Sequence, residues 1–365
     1  MYQNLIKNKT LRTIAEILTG FLIYFLLITL LIEAEKGSSQ ASITNYRDAI
    51  WFSIVTLTTV GYGDYVPATE FGRYISFIFL LISLGMYGML IGQFTSLMAS
   101  IKENRKLGLN GTKMEDHAVI IGWNEFGKLV LSQLMGVGKK VAIITNNKAD
   151  IDFIKEDDDN KGVYVLYADF SNMELLRKSN IERSSIVFVN LDDDTEKLVY
   201  ILNMKKTFPN LDYVVTLDNG DLKNTFISAG VTNTISKHEI SSKLLASYMF
   251  EPDVAAYSES IMSFAEGDGD YDIKQFMVTS SNPYLGKAYQ EAFFDLKKKY
   301  NAVLIGITKR DKFGNKRLIK NPLGDLGISS GDYLIVILNG KSHKLVRKLF
   351  SVNEGYIREK PSKTR

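Results

Sequence analysis

Thr59-Val60-Gly61-Tyr62-Gly63-Asp64 is the stretch with the most chemistry in it, and most of that chemistry is in the backbone. A short strand that presents its carbonyl oxygens inward, with the Thr59 hydroxyl added, can replace the water shell of a dehydrated cation. Gly61 and Gly63 suit such a strand, because it must adopt backbone angles that a β-carbon forbids. Several copies around an axis would stack the oxygens in rings. Alone, a run this short with two glycines also suits a β-turn, so the flanking sequence has to decide.

Length and composition bound the rest. A chain of 365 residues has room for two or three domains. Its 44 basic and 41 acidic residues leave a net charge of +3, which is no field for nucleic acid. Cysteine is absent, excluding disulfides, thiolate metal sites and cysteine nucleophiles, and fitting a reducing cytosol. Apolar residues crowd the first hundred positions, and the remainder reads as soluble protein.

Leu18 to Ile32 is an almost unbroken apolar run, approaching with Ile14, Ala15 and Ile17 the ~20 residues a membrane span requires. A cleaved signal peptide is the competing reading, but the run is long for one and no small-x-small cleavage site follows closely. A second uncharged span runs from Tyr74 to about Met98. Lys7, Lys9 and Arg12 precede the first span, and Lys102, Arg105 and Lys106 follow the second, which predicts both termini on the cytoplasmic side of a bacterial or archaeal inner membrane. The segment between is then extracytoplasmic, and its apolar part, Tyr46 to Thr58, is too short to span. Non-helical backbone at membrane depth is tolerated only where protein surrounds it or water lines it. The predicted order of helix, half-helix, glycine-containing strand and helix is what a re-entrant pore loop demands.

On these residues the first part of the chain resembles a two-transmembrane potassium channel. Thr58 to Asp64 match that family's selectivity filter, and Trp51 and Phe52 match the aromatic pair of its pore helix. The resemblance implies a homotetramer in which Thr59, Val60, Gly61 and Tyr62 coordinate K⁺ through carbonyls and Asp64 sits at the outer mouth. Gly85, Gly88 and Gly92 punctuate the second span. They serve either close helix packing or a gating hinge, since glycine weakens a helix interior by ~1 kcal/mol. The family's hinge falls to Gly85, with Gly88 under one turn away. Between Glu70 and Glu103 there is no acid, so an acidic ring at the inner mouth is not expected.

After a short polar linker, 107–115, strands predicted at 118–122, 140–145, 163–168, 185–190, 212–217 and 233–236 alternate with helices at 125–136, 172–179, 194–207 and 220–229. This alternation predicts a doubly wound parallel sheet, which binds ligands at the carboxyl ends of its strands. Gly122-Trp-Asn-Glu-Phe-Gly127 has the outer glycines of a dinucleotide fingerprint but Asn124 in its middle place. Thr145, Asn146 and Asn147 stand where a ribose-binding acid would be. Gly122, Asn124, Gly127 and Asn146 are therefore candidates for an adenine nucleotide or NAD(H), with NAD disfavoured and an unused crevice the rival.

This part resembles the regulator of K⁺ conductance (RCK) domain. The resemblance implies a Rossmann-like lobe at 116–252 that includes a crossover helix at 237–252. A small α+β lobe and tail follow at 253–365, and such domains pair into a gating ring. Asp169 and Asp218 match carboxylate positions of a calcium-gated relative, while Thr216 stands where a third acid would be. Two carboxylates with carbonyls could hold Ca²⁺ weakly, and acids at strand ends are also frequent helix caps. The acids Glu266, Asp268, Asp270 and Asp272 read as a solvated loop, and Asp157–Asp159 and Asp192–Asp194 as solvated caps and loops.

The expectation is thus a ligand-gated, K⁺-selective channel: an α-helical membrane pore domain joined to an α/β cytoplasmic domain. Its partners would be copies of itself and the bilayer. The rivals are a regulatory subunit of a K⁺ transporter, against which residues 59–64 argue, and a membrane-tethered NAD-dependent oxidoreductase. The altered fingerprint and a count of three histidines speak against the enzyme.

Overall fold

A computed structural model describes residues 2–157, 162–265, 267–310 and 316–355, with side chains from Leu18 onward except Met86. Asp158, Asp159, Glu266 and the tail beyond 355 lie outside the described residues. The chain divides into two compact units, Met1–Glu103 and Asn104–Arg365.

The first unit holds α1 (Tyr2–Glu35), α2 (Tyr46–Leu57) and most of α3 (Glu70–Lys106). Both long helices continue beyond their apolar runs into polar sequence, since nothing near the span ends breaks a helix. Ile28, Leu31, Ile32, Ile43, Ala49 and Ile75 form the core where α1, α2 and α3 meet. Elsewhere apolar side chains face outward, among them Leu22 (72% exposed) on α1 and Phe77 (63%) and Phe94 (61%) on α3. A soluble domain does not expose so much contiguous apolar surface; these faces belong to lipid or to further protein.

The second unit opens with β1 (Ala118–Ile121), α4 (Glu125–Gly136), β2 (Val141–Thr145), α5 (Lys148–Glu156) and β3 (Tyr164–Tyr167). Then come α6 (Met173–Leu176), β4 (Ile186–Val189), α7 (Asp194–Thr207), β5 (Tyr213–Leu217), α8 (Lys223–Ser228) and β6 (Asn233–Ser236). The six strands make one sheet in the order β3-β2-β1-β4-β5-β6, parallel throughout. β1 and β2 are buried at every residue, as strands covered on both faces must be. Polar residues after the strands start the helices: Asn124, Asn147, Asn172 and Asp193 each accept a backbone N–H in the first turn.

Two expected helices are broken. The 172–179 segment is α6 plus a 3₁₀ turn, because Asn180 takes a left-handed φ of 53° and reverses the chain. The 220–229 segment begins as a 3₁₀ turn before α8. The crossover is two helices, α9 (Lys237–Phe250) and α10 (Pro252–Met262), because Pro252 cannot continue the first but suits the start of the second. Beyond lie β7 (Tyr271–Met277), α11 (Tyr289–Tyr300), β8 (Val303–Arg310), β9 (Lys316–Lys320), β10 (Tyr333–Asn339) and α12 (Gly340–Phe350). The strands form an antiparallel sheet ordered β7-β10-β8-β9, with Phe276, Leu334, Val336, Leu338, Leu296 and Phe350 in its core.

His117, just before β1, is fully buried, and its Nε2 lies 2.9 Å from the Ser179 carbonyl oxygen. Burial holds its pKa below the ordinary 6.5, against the opposing pull of that bond. The unfolded chain therefore takes up the proton first. Stability from the neutral ring is present above pH ~6.5 and is lost as pH falls below it. Melting of the second unit in the full-length protein should fall by roughly 2–4 °C between pH 7.5 and 5.5 beyond the drop seen in His117→Gln; equal drops would contradict this account.

Candidate functional site

Residues 59–64 follow α2 directly. Thr59, Gly61 and Gly63 have φ values of 59°, 61° and 76°, whereas Val60 and Tyr62 are not among the positive-φ residues. In an ordinary strand successive carbonyls point to opposite sides. Alternating the handedness of the backbone turns successive peptide groups the same way, which gathers like dipoles on one face. The amides of Val60 and Gly61 turn back to the Val55 carbonyl at 3.1 and 3.2 Å. Their use there leaves the strand's carbonyls as its outward chemistry. A β-carbon at Gly61 would meet nothing within 4 Å, so backbone angle and not space requires glycine there.

The outer end of this strand is pinned. The Trp51 indole N–H donates to Asp64 Oδ2 at 2.8 Å, and its ring stacks on Tyr62 at 6.3 Å with 6° between planes. On the other side of α2, Ser53 is buried and bonds the Tyr24 hydroxyl at 2.6 Å. Glu35 is a functional residue that sequence reasoning passed over. Its buried carboxylate accepts the Ala68 and Thr69 amides at 2.9 and 3.0 Å and the Thr69 hydroxyl at 2.8 Å, fastening the end of α1 to the start of α3. An acid at a helix N-terminus is favoured by the helix dipole, and Thr69, three residues before Gly72, is the signal that marks that terminus. Gly85 and Gly88 lie inside α3 with open space where a β-carbon would stand.

In the second unit β1 and β4 pair side by side, while the chain runs from β1 toward one edge of the sheet and from β4 toward the other. Their carboxyl ends are thus its switch point, where such sheets bind ligands. Gly122 has a φ of 91° and packs against the Asn190 carbonyl. Asn124 accepts the Gly127 amide at 2.9 Å, receives Asn190 Nδ2 at 2.8 Å and donates to Asp192 at 3.3 Å. The side chain in the place of the middle glycine is thus the N-cap of α4, held by its neighbours. Asn146 is exposed after β2.

Asp169 accepts the amide and hydroxyl of Ser171 at 2.8 and 2.7 Å, and these bonds hold its carboxyl below the usual range. Asp218 pairs with Lys237 at 3.1 Å. Thr216 is buried with its hydroxyl unpartnered. Among the described residues no three His, Asp or Glu side chains gather as a metal site.

Two acids expected in solvent are not. Asp194 pairs at 2.8 Å with the fully buried Lys197, which also donates to the Thr216 carbonyl at 2.9 Å, while Asp218 and Asn219 donate their amides to Asp194. Burial pushes the Asp194 carboxyl up, but the amides and Lys197 outweigh it and leave it below the ordinary range. Asp272, the second residue of β7, is buried and accepts Lys274 at 2.8 Å. Both departures have one cause: a lysine that is itself buried or largely shielded lies two or three residues away, which a run of acids conceals.

The fold and site define a membrane pore segment joined to a Rossmann-like regulatory domain. Comparison with known proteins agrees. An ion channel family model matches residues 12–100, and a TrkA-N domain model matches residues 118–237. Probable potassium channel protein 2 of Methanocaldococcus jannaschii is 22% identical over 315 residues, 84% of this chain and 89% of the relative. The calcium-gated potassium channel TvoK of Thermoplasma volcanium is 23% identical over 321 residues, 84% and 86% of the two. A structure of the GsuK channel bound to NAD aligns with a TM-score of 0.41 at 15% identity, over 94% of this chain and 61% of that one. The chain is a membrane protein that carries an ion channel domain followed by a TrkA-N (RCK) domain, and the relatives it resembles over most of its length are prokaryotic potassium channels.

Trp51→Phe keeps the stacking on Tyr62 but removes the bond to Asp64. K⁺ flux into liposomes should fall roughly fivefold, the effect of about 1 kcal/mol; unchanged flux and selectivity would remove Trp51 from the outer mouth.

Proposed function

We propose that the chain is a potassium-selective channel whose gate is set by ligand binding to its cytoplasmic domain. The observation that carries the reading is the alternation of backbone handedness at Thr59, Gly61 and Gly63, which suits a ring of carbonyls and little else. Four copies around one axis surround the ion, with the exposed faces of Val60 (52%) and Tyr62 (69%) turned to neighbouring copies. The carbonyls of Thr59, Val60, Gly61 and Tyr62 and the Thr59 hydroxyl stand in for the hydration of K⁺. The inner helix splays at Gly85, helped by Gly88, and conduction follows the electrochemical gradient without covalent chemistry. Both termini face the cytoplasm of the inner membrane, and the regulatory domains pair into a ring beneath the pore. A ligand opens the gate only as far as it prefers one ring shape over the other.

Two ligand classes suit the crevice. Ca²⁺ would use Asp169, Asp218 and the backbone near Thr216, a reading supported by the likeness to a relative named calcium-gated. An adenine nucleotide or NAD(H) would lie across Gly122, Asn124, Gly127 and Asn146, at the start of α4.

Purified protein in liposomes tests the channel: K⁺-selective flux blocked by Ba²⁺ is expected, and its absence would refute the reading. Gly61→Ala costs roughly 1–2 kcal/mol in each copy at a left-handed position and should abolish K⁺ selectivity or conduction while the soluble part still folds. Asp218→Asn removes one charge from the proposed cation site and should raise the Ca²⁺ concentration for half-maximal opening about tenfold, with any ADP response unchanged. An identical Ca²⁺ dose response would exclude Asp218.

A further inference from the structure

The stretch 107–115 reads in the sequence as a polar linker, yet its first residues are bonded to the rest of the second unit. α3 ends in a tight reversal. Gly108 takes a φ of 74°, the Leu109 amide donates to the Asn104 carbonyl at 2.9 Å, and the Gly108 amide donates to Arg105 at 3.2 Å. This left-handed cap closes the helix on itself. The four carbonyls that follow each accept a donor from the regulatory domain. Lys155 Nζ donates to the Lys106 carbonyl at 2.7 Å, the Tyr167 amide to Leu107 at 3.0 Å, the Tyr164 hydroxyl to Gly108 at 2.5 Å, and Lys178 Nζ to Leu109.

Side chains add to the backbone bonds. Leu107 is 8% exposed and belongs to the same core as Ile120, Val141, Ile143 and Val165. Lys106 pairs with Asp152 on α5 at 2.7 Å. Gly108 lies against the backbone of Val165 and Leu166, where no β-carbon would fit. Further on, Thr112 donates its amide to Lys178 at 2.8 Å, and Met114 accepts Asn180 Nδ2 at 2.6 Å. The Leu107–Tyr167 bond covers part of β3, which is an edge strand.

We infer that residues 104–109 are a rigid anchor, so that the last turn of α3 moves as part of the regulatory domain. Motion of that domain then enters α3 at Asn104 without slack, and the yielding part of the connection lies above it. Residues 110–115, although bonded to the domain at Thr112 and Met114, follow the anchor and so lie outside the path from the domain to α3. The inference deepens the channel reading and rests on it for the direction of transmission; the anchor itself does not.

Because the chain has no cysteine, paired spin labels report the anchor directly. Arg105→Cys with Phe153→Cys, the latter on exposed α5, should give one narrow distance in the full-length protein, with or without Ca²⁺ or ADP. Adding Lys155→Ala, Tyr164→Phe and Lys178→Ala should broaden it. A broad distribution without those three changes overturns the anchor. A Gly-Ser insertion between Asn110 and Gly111 should leave any Ca²⁺ or ADP dependence of K⁺ flux within about twofold, whereas the same insertion between Ser100 and Ile101 should remove a coupling of roughly fivefold or more. Loss of dependence with the first insertion, while the probe still shifts the melting temperature, overturns transmission through the anchor. If neither probe alters flux in the unaltered protein, the gating reading fails, and a narrow label distance still supports the anchor.

Discussion

Removing water from a cation costs tens of kcal/mol unless other oxygens replace it, and that constraint organises the membrane unit. In the proposed filter the replacement oxygens are main-chain carbonyls, for which the backbone of residues 59–63 must turn successive peptides to one side. Left-handed angles at every second residue do this, and glycine supplies two of the three without strain. Thr59, the third, is a non-glycine residue with φ of 59°. It is held by its amide bond to Thr56 at 3.0 Å and contributes a hydroxyl that glycine lacks.

A strand of this kind cannot hold itself, because among the described residues its carbonyls accept no hydrogen bond. The support comes from three sides. The end of α2 takes up the amides, Trp51 fixes Asp64 and Tyr62, and Glu35 closes the frame by joining α1 to the start of α3. Each bond involves a group whose type alone would pass unremarked: a carbonyl, an indole N–H, an acid after an apolar run.

The second unit shows the same economy in polar contacts. Asn124 serves as a cap where a dinucleotide fingerprint would have glycine, and Lys197 with Asp194 ties the start of α7 to the end of β5. A buried ion pair adds little net stability against an apolar pair of like volume, but breaking it is costly. Its effect is to hold the start of α7 and the residues after β5 in one arrangement. The anchor at 104–109 extends that order to the end of α3.

The sequence by itself determined the two apolar helices, the half-helix and the alternation of strands and helices, with most strands within a residue or two of their observed bounds. These features are local: apolar periodicity, glycine at obligatory angles and a capping residue after a strand act within a few positions of one another. What only the tertiary structure decided were pairings across distance. Glu35 meets Ala68 and Thr69, Leu107 enters the core beside Val165, and Asp194 accepts amides from Asp218 and Asn219. A carboxylate or a carbonyl has the same appearance in a sequence whether water or a distant donor satisfies it, and folding alone chooses between them.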